Sequence, residues 1–255
     1  MYFSNINLGQ YFPADSFIHR LDPRAKLFAL IILISAVFSI KSSFILACWI
    51  FILIFIVHVS KIPFKTFIKS SKPILFIIIL TFIFNFIPII YGDSFLKALS
   101  NAVFTSTRLF ILMMYALLLP LTTAPLELAA GIEALLKPLE KFGFPAGECA
   151  IMIGMALRFI PMLMHETDKI IKAQLSRGAK LDQGNLFKKL LSFIPVLIPL
   201  FIIIFRRADE IAIAMEARGY SGAKGRTKRK PLKWKLSDSA AIIFSVIPVL
   251  LLYLL

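Results

Sequence analysis

The sequence predicts an all-α polytopic membrane protein, with about five transmembrane helices and a cytoplasmic-side module of three further helices. Of its 255 residues, 59% are apolar and only 17% are charged, whereas soluble domains are usually about 45 to 50% apolar. The apolar residues form runs close to the roughly 20 residues that a transmembrane helix needs. The formal net charge is nevertheless +15. This composition excludes disorder and argues against an ordinary soluble enzyme.

Five apolar runs are the predicted transmembrane helices. Asp22 followed by Pro23 predicts a helix start before the first run, because Asp is a good N-cap and Pro suits the first helical position. The first and last runs are short for an upright span, so polar residues beside them must reach the interface. The runs are Leu27–Ile40, Phe44–Val59, Ile74–Ile90, about Ala102–Leu121 and Ala240–Leu255.

The positions of lysine and arginine predict the orientation, because short cytoplasmic loops are enriched in them. Arg20, Arg24 and Lys26 precede the first run. The loop after the second run carries four lysines and no acid, whereas the loops at the opposite ends offer only Lys41 and Lys97. The N-terminus is therefore predicted to be cytoplasmic.

Two further apolar runs, Cys149–Met164 and Leu190–Phe205, are predicted not to cross the membrane. If the first of them crossed, the six cations from position 169 to 189 would face outward, against the charge rule. Both runs also contain prolines that would kink a span. We expect two long helices at the inner face of the membrane, one ending at Arg177 and one running from about Phe187 to Arg218, after an amphipathic helix over Leu126–Phe142.

These expectations divide the chain into three parts. Residues 1–123 hold the N-terminal segment and four transmembrane helices, residues 124–236 form the cytoplasmic-side module, and residues 237–255 form the terminal transmembrane helix.

The two long helices are predicted to end alike, with a small residue, an arginine and a glycine. The two motifs are Ser176-Arg177-Gly178 and Ala217-Arg218-Gly219. Glycine lets the chain turn sharply, and the guanidinium can reach beyond the helix end toward a carboxylate or carbonyl group. Capping alone explains one such arginine. Two matched helix ends favour a docking function.

These ends, the sequence His-Arg-Leu-Asp-Pro-Arg-Ala-Lys-Leu over residues 19–27 and the order of helices resemble the T component of energy-coupling factor transporters. The resemblance covers essentially the whole chain. The second motif matches the family's Ala-Arg-Gly, and the first has Ser176 in place of alanine. The resemblance implies a transmembrane scaffold without catalysis or a cofactor of its own, in the cell membrane of a prokaryote.

The same resemblance implies the partners. Two ABC-type ATPase subunits are expected to bind the coupling helices through Arg177 and Arg218, and a membrane-embedded S component is expected to hold the substrate. Uptake of a vitamin or another micronutrient is the expected function, because residues 9–16 resemble that branch more closely. A dedicated cobalt or nickel importer is the alternative.

Other residues carry weaker signals. The three histidines, His19, His58 and His165, lie far apart in the chain, so no metal site is predicted. Arg108 is expected to extend to the outer interface and Asn85 to hydrogen-bond across helices.

Two other kinds of partner and two other classes of protein are less well supported. The basic run Lys224–Lys235 is expected to anchor the last span, with no binding of nucleic acid. The sequence contains no GxxxxGK[ST] loop, so ATP is expected to bind elsewhere. A self-sufficient secondary transporter would need intramembrane carboxylates, and a membrane enzyme would need clustered His, Asp or Glu at the membrane face.

Overall fold

The structure, a computed structural model, describes residues 11–87, 94–179, 185–222 and 232–254. Within these ranges the chain is helical and has no strand, which confirms the predicted fold class. A 3₁₀ helix over Lys137–Phe142 follows the fifth α-helix. The α-helices are α1 Pro23–Phe38, α2 Ser43–Val59, α3 Phe64–Phe86, α4 Phe95–Thr122, α5 Pro125–Leu136, α6 Ala146–Ser176, α7 Leu186–Ser192, α8 Ile194–Ala217 and α9 Leu236–Leu254.

The described residues form two compact units. The first, which we call the bundle unit, contains residues 11–87, 94–135 and 232–254. The second, which we call the motif unit, contains residues 136–179 and 185–222 and therefore both arginine motifs.

Helix α4 is the centre of the bundle unit. It packs against α1, α2 and α3, and α9 packs against α1. The largest buried side chains are Trp49 on α2 and Tyr115 on α4, whose rings meet edge to face at 6.0 Å between centroids. The Tyr115 hydroxyl donates a hydrogen bond to the Trp49 carbonyl oxygen at 3.3 Å. This pairing satisfies the one polar atom of a buried tyrosine and joins α2 to α4.

The start of α1 confirms the predicted cap. Asp22 Oδ1 accepts a hydrogen bond from the Arg24 backbone N–H at 2.9 Å, and Pro23 occupies the first helical position. The carboxylate thereby pairs with one of the backbone donors that a helix start leaves free.

Three described helices are long and apolar enough to cross a membrane: Lys65–Phe86 in α3, α4 and α6. Helices α2 and α9 are apolar but shorter. Length and composition therefore do not distinguish α6 from a span, and its predicted position at the inner face depends on the charge distribution. Large apolar side chains on α2 and α3, such as Phe51 and Phe76, are exposed, as expected of surfaces that face lipid.

Two predicted helices are interrupted. The helix expected over Leu126–Phe142 is α-helical only to Leu136, because Pro138 has no N–H to continue the ladder, and a 3₁₀ turn follows. The helix expected from Phe187 to Arg218 breaks at Phe193 into α7 and α8. Pro195 suits this break, since it lies in the first turn of α8, where its missing N–H has no helical partner to lose.

Two polar predictions were wrong. Lys65, Lys69 and Lys72 lie on α3 rather than in a loop, since α3 begins at Phe64. Asn85 makes no hydrogen bond to another helix among the described residues; its Nδ2 donates to the Thr81 carbonyl oxygen of its own helix at 2.9 Å. The predicted end of the third run, residues 88–90, lies outside the described residues.

Candidate functional site

Helix α6 ends in a Schellman motif centred on Arg177 and Gly178. Arg177 is the C-cap residue, and Gly178 follows with φ +84°. The Gly178 N–H donates to the Leu175 carbonyl oxygen at 2.9 Å, and the Ala179 N–H donates to the Gln174 carbonyl oxygen at 3.0 Å. These two bonds define the motif and pair carbonyls that the helix end would leave free.

Helix α8 ends in the same way. Arg218 is the C-cap residue and Gly219 has φ +71°. The Gly219 N–H donates to the Glu216 carbonyl oxygen at 2.9 Å, and the Tyr220 N–H donates to the Met215 carbonyl oxygen at 3.0 Å. Both predicted glycine stops are confirmed, and the two arginines occupy equivalent positions in one backbone geometry.

The glycines are required by conformation alone. A Cβ added to Gly178 or Gly219 would meet no atom within 4 Å. The positive φ is the constraint, because an L side chain in this region approaches its own carbonyl oxygen.

Both arginine side chains are available to a partner. Arg177 and Arg218 are exposed, and within the described ranges neither guanidinium makes a hydrogen bond or an ion pair. Arg207, also on α8, differs, because it pairs with Glu210 one turn away. Ser176 keeps its hydroxyl within α6 by donating to the Lys172 carbonyl oxygen at 3.1 Å. The serine is therefore as compact as the alanine of the second motif.

Packing in the motif unit places the two ends apart. Ile171 of α6 and Val196 of α8 are buried together, and Ala179, directly after the first motif, packs against them. The first motif is thus fixed beside the start of α8. Arg218 lies 22 residues beyond Val196 in the chain, or about 33 Å along a straight helix. The two arginines therefore lie near opposite ends of α8.

A second polar cluster lies in the bundle unit, around Lys26. This side chain is only 7% exposed. Its Nζ donates to the carbonyl oxygens of Thr122 at 2.9 Å and His19 at 3.2 Å, and to Thr123 Oγ1 at 3.3 Å. A cation is favourable at the C-terminus of α4, where unpaired carbonyls carry partial negative charge. Burial lowers the pKa of Lys26 to about 8, although the nearby acids Glu127, Asp22 and Asp238 oppose this shift.

The end of α4 explains how the N-terminal segment attaches beside this cluster. Thr123 leaves the helix in an extended conformation, so the last carbonyl groups of α4 have no partner further along the helix. The Phe12 N–H donates to one of them, the Leu121 carbonyl oxygen, at 3.0 Å. The Phe12 carbonyl oxygen in turn contacts Nε2 of His19 at 3.0 Å, and Ser16 Oγ contacts Nδ1 at 2.7 Å. Burial lowers the pKa of His19, which favours the neutral ring.

Asp238 joins the last helix to the first, a role that the sequence analysis missed. Its carboxylate is buried and accepts from the Asp22 N–H at 2.8 Å and from the Lys235 N–H at 2.7 Å. The second bond is half of a capping box, in which an acid at the third helical position reaches back to the N-cap residue. The sequence signal for this bond was an aspartate three residues after Lys235, the spacing of a capping box.

The remaining candidates stay apart. His58 and His165 are exposed, and among the described residues no group of three His, Cys, Asp or Glu side chains could hold a metal ion. The Arg108 guanidinium lies 6.0 Å from the Phe104 ring centroid. Most of the basic run, residues 224–231, lies outside the described residues. After it, Trp234 Nε1 donates to Ser239 Oγ at 2.8 Å.

Comparison with known proteins identifies the family. A profile of the CbiQ family, described as "Cobalt transport protein", matches residues 14–229, which include both arginine motifs. The chain belongs to the CbiQ family. Three relatives of this CbiQ-family chain carry the name "Energy-coupling factor transporter transmembrane protein EcfT".

The three relatives match over nearly their full lengths. The Thermanaerovibrio acidaminovorans protein is 44% identical over 93% of this chain and 91% of its own. The Clostridium kluyveri protein is 45% identical, with 96% and 94% covered, and the Bacillus subtilis protein is 39% identical, with 97% of both covered. The resemblance to energy-coupling factor T components is confirmed, so the CbiQ-family chain is a transmembrane component of a transporter.

Proposed function

We propose that this T component couples two ABC-type ATPase subunits to a membrane-embedded S component that takes up a vitamin or another micronutrient. The observation that supports this proposal is the pair of equivalent helix ends. Each presents an exposed arginine that has no partner among the described residues. Two identical ends near opposite ends of α8 suit two copies of one kind of partner site.

The chemistry of arginine suits such a docking role. Its planar guanidinium offers five donors in a fixed fork that can bind a carboxylate or backbone carbonyls. The Schellman turns fix the backbone direction at Arg177 and Arg218, which limits the conformational entropy lost on binding. Helices α6 and α8, 31 and 24 residues long, can then transmit a displacement of the ATPases as stiff levers. ATP binds and is hydrolysed on the partners, and the S component reorients.

The proposed orientation keeps the N-terminus and the motif unit in the cytoplasm. The supporting observation is the charge distribution, because the cations of α6 and the following segment would otherwise face outward. In this arrangement α6 and α8 lie at the inner face of the cell membrane and do not cross it.

The vitamin-type assignment is supported by residues 9–16, which resemble that branch of the family more closely. The relatives, at 39 to 45% identity, carry the EcfT name, which states no substrate. The family description, which names cobalt transport, keeps a dedicated cobalt or nickel importer as the second candidate. Co-purification of the T component from its native host, followed by identification of the bound S component, distinguishes the two.

Charge reversal of the two arginines tests the docking proposal. We expect Arg177→Glu plus Arg218→Glu to abolish co-purification of the ATPase subunits and ATP-driven uptake. Arg206→Glu is the matched control, since Arg206 is exposed on α8 but lies 12 positions before Arg218. An intact complex with full uptake in the double variant would remove the docking assignment.

Cysteine labelling tests the orientation. In a background with Cys48 and Cys149 replaced by serine, Lys172→Cys is expected to resist a membrane-impermeant maleimide in intact cells. Lys41→Cys is the outward control and Lys69→Cys the inward control; all three positions are exposed in the structure. Labelling of Lys172→Cys at the rate of Lys41→Cys would show that α6 crosses the membrane.

A further inference from the structure

An apolar cavity of about 390 Å³ lies inside the bundle unit. Helices α1, α2, α4 and α9 all contribute to its walls. Leu33 and Leu118 line it from α1 and α4, and Phe55 and Phe244 line it from α2 and α9. The two phenylalanine rings lie 6.2 Å apart between centroids and are 48% and 52% exposed, so this wall reaches the protein surface.

A second depression, which we call the mouth, adjoins the cavity. It is more open than the cavity, shares Phe17 and Val59 with it and adds His58, Lys61 and Ile62. The mouth lies where α2 ends and the chain turns into α3. The cavity is therefore apolar, and the adjoining mouth adds a cation, Lys61.

The backbone holds Lys61 at this mouth in an uncommon conformation. Its φ is +55°, which places a non-glycine residue in the left-handed region. The Lys61 N–H donates to the His58 carbonyl oxygen at 3.1 Å and so closes the end of α2. Its ammonium group is exposed and makes no ion pair within the described ranges. Functional sites are where such strained residues tend to be found.

Lys26 also lines the cavity but cannot serve as the charged end. Its Nζ already donates to three protein oxygens, which are all the hydrogen bonds an ammonium group can donate. The charge available to a ligand is thus on the Lys61 side. Lys65, Lys69 and Lys72 follow on α3, whose first turn contains no acid, so the positive potential there is not neutralised nearby.

We propose that the cavity binds one acyl chain of an anionic phospholipid, with its headgroup at Lys61; the lipid belongs to the inner leaflet in the orientation proposed above. The apolar walls match the chain, and the unpaired ammonium group matches the net negative charge of the headgroup. Because the bundle unit belongs to a membrane protein, lipid surrounds its exposed wall at Phe55 and Phe244. An apolar helix of a partner protein could also fill the cavity, but it would leave the ammonium group of Lys61 without an anionic partner.

Lipid retention by the purified full-length chain tests this proposal. Native mass spectrometry would measure binding of phosphatidylglycerol and phosphatidylcholine with matched acyl chains. The wild type is expected to prefer phosphatidylglycerol about fivefold, from one lysine–headgroup contact. Lys61→Gln is expected to remove this preference, whereas Lys41→Gln, at the other end of the bundle unit, is expected to keep it.

A second pair of variants tests the cavity itself. Ala241→Phe places a ring in the cavity and is expected to abolish retention of both lipids. Ile243→Phe is the matched control, because Ile243 is exposed on the same helix and does not line the cavity. If Ala241→Phe fails to fold by circular dichroism, Ser245→Leu, also at the cavity wall, replaces it.

Any of three lipid-binding results would overturn the proposal. They are equal binding of the two lipids by the wild type, an unchanged preference in Lys61→Gln, and full retention in the folded cavity variant. A photo-crosslinker at Phe244 that captures a protein and no lipid, in the assembled transporter, would assign the cavity to a partner helix.

Discussion

The glycine after Arg218 offers a direct test of whether the backbone turn positions the arginine. Gly219 has φ +71° and ends α8 through the N–H bond to Glu216. A residue that avoids the left-handed region would favour continuing the helix, and the Arg218 guanidinium would then point elsewhere. The binding free energy for the ATPase subunits is expected to fall by the conformational cost of keeping residue 219 in the left-handed region.

The magnitude follows from the empty surroundings of this glycine. Because no atom lies within 4 Å of an added Cβ, the cost is the conformational one alone. An L residue in the left-handed region costs roughly 1 to 2 kcal/mol, alanine at the lower end and valine at the upper. Since about 1.4 kcal/mol is a factor of ten, Gly219→Ala is expected to weaken ATPase binding about fivefold. Gly219→Val is expected to weaken it about 25-fold, and Gly219→Asn least, because asparagine tolerates this region.

The assay is the affinity of the detergent-purified T component for the ATPase subunits, measured by microscale thermophoresis, with ATP-driven uptake as a second readout. Gly154→Ala is the matched control. Gly154 lies inside α6, and a Cβ there also meets nothing within 4 Å. Alanine in a helix interior is favoured by roughly 0.5 to 1 kcal/mol, so this variant is expected to bind normally. Wild-type affinity in Gly219→Val, or equal losses in the asparagine and valine variants, would refute the reasoning.

Three further predictions concern the bundle unit, each read from the thermal midpoint of the purified chain in detergent. Asp238→Ala leaves the buried Asp22 N–H without its acceptor and is expected to cost about 1 to 3 kcal/mol; Asp238→Asn keeps an acceptor oxygen, and an equal loss in both would contradict this role. Gly131→Ala brings a Cβ to 3.0 Å from Pro23 Cβ and is expected to destabilise by about 1 to 3 kcal/mol; an unchanged midpoint would show that α1 and α5 separate easily. Burial lowers the pKa of Lys26 to about 8 from 10.5, so between pH 8 and 10.5 the unfolded chain holds this proton more tightly than the folded chain. The free energy of unfolding therefore rises with pH in this range, and at pH 9.5 it is about 2 kcal/mol higher than below pH 8. Lys26→Met should lack that rise, and parallel pH profiles of the two proteins would disprove it.

The confirmed predictions of helix ends depend on interactions within a few residues of the chain. The cap of α1 needs only Asp22, Pro23 and the N–H of Arg24. The two helix stops need only a glycine and the carbonyls of the preceding turn. The presence of helices follows from the long apolar runs, because backbone N–H and C=O groups in lipid must hydrogen-bond within their own segment.

Helix continuity was harder to predict, because proline acts differently in different surroundings. Pro73 and Pro161 stay inside α3 and α6. Near Pro138 and Pro195, in contrast, the α-helix ends. The missing N–H is common to all four positions, so a proline in the sequence does not by itself predict whether the helix continues.

The sequence by itself determined the fold class and the two arginine-glycine helix ends, because composition and capping act locally, and its motifs carried the resemblance to the family. Only the tertiary structure decided which buried polar groups hydrogen-bond to each other across helices. Lys26 meets the Thr122 carbonyl across 96 positions, and Asp238 meets the Asp22 N–H across 216. Such contacts depend on how the helices of the bundle unit pack, and each buried polar atom then takes the partner that packing brings within reach.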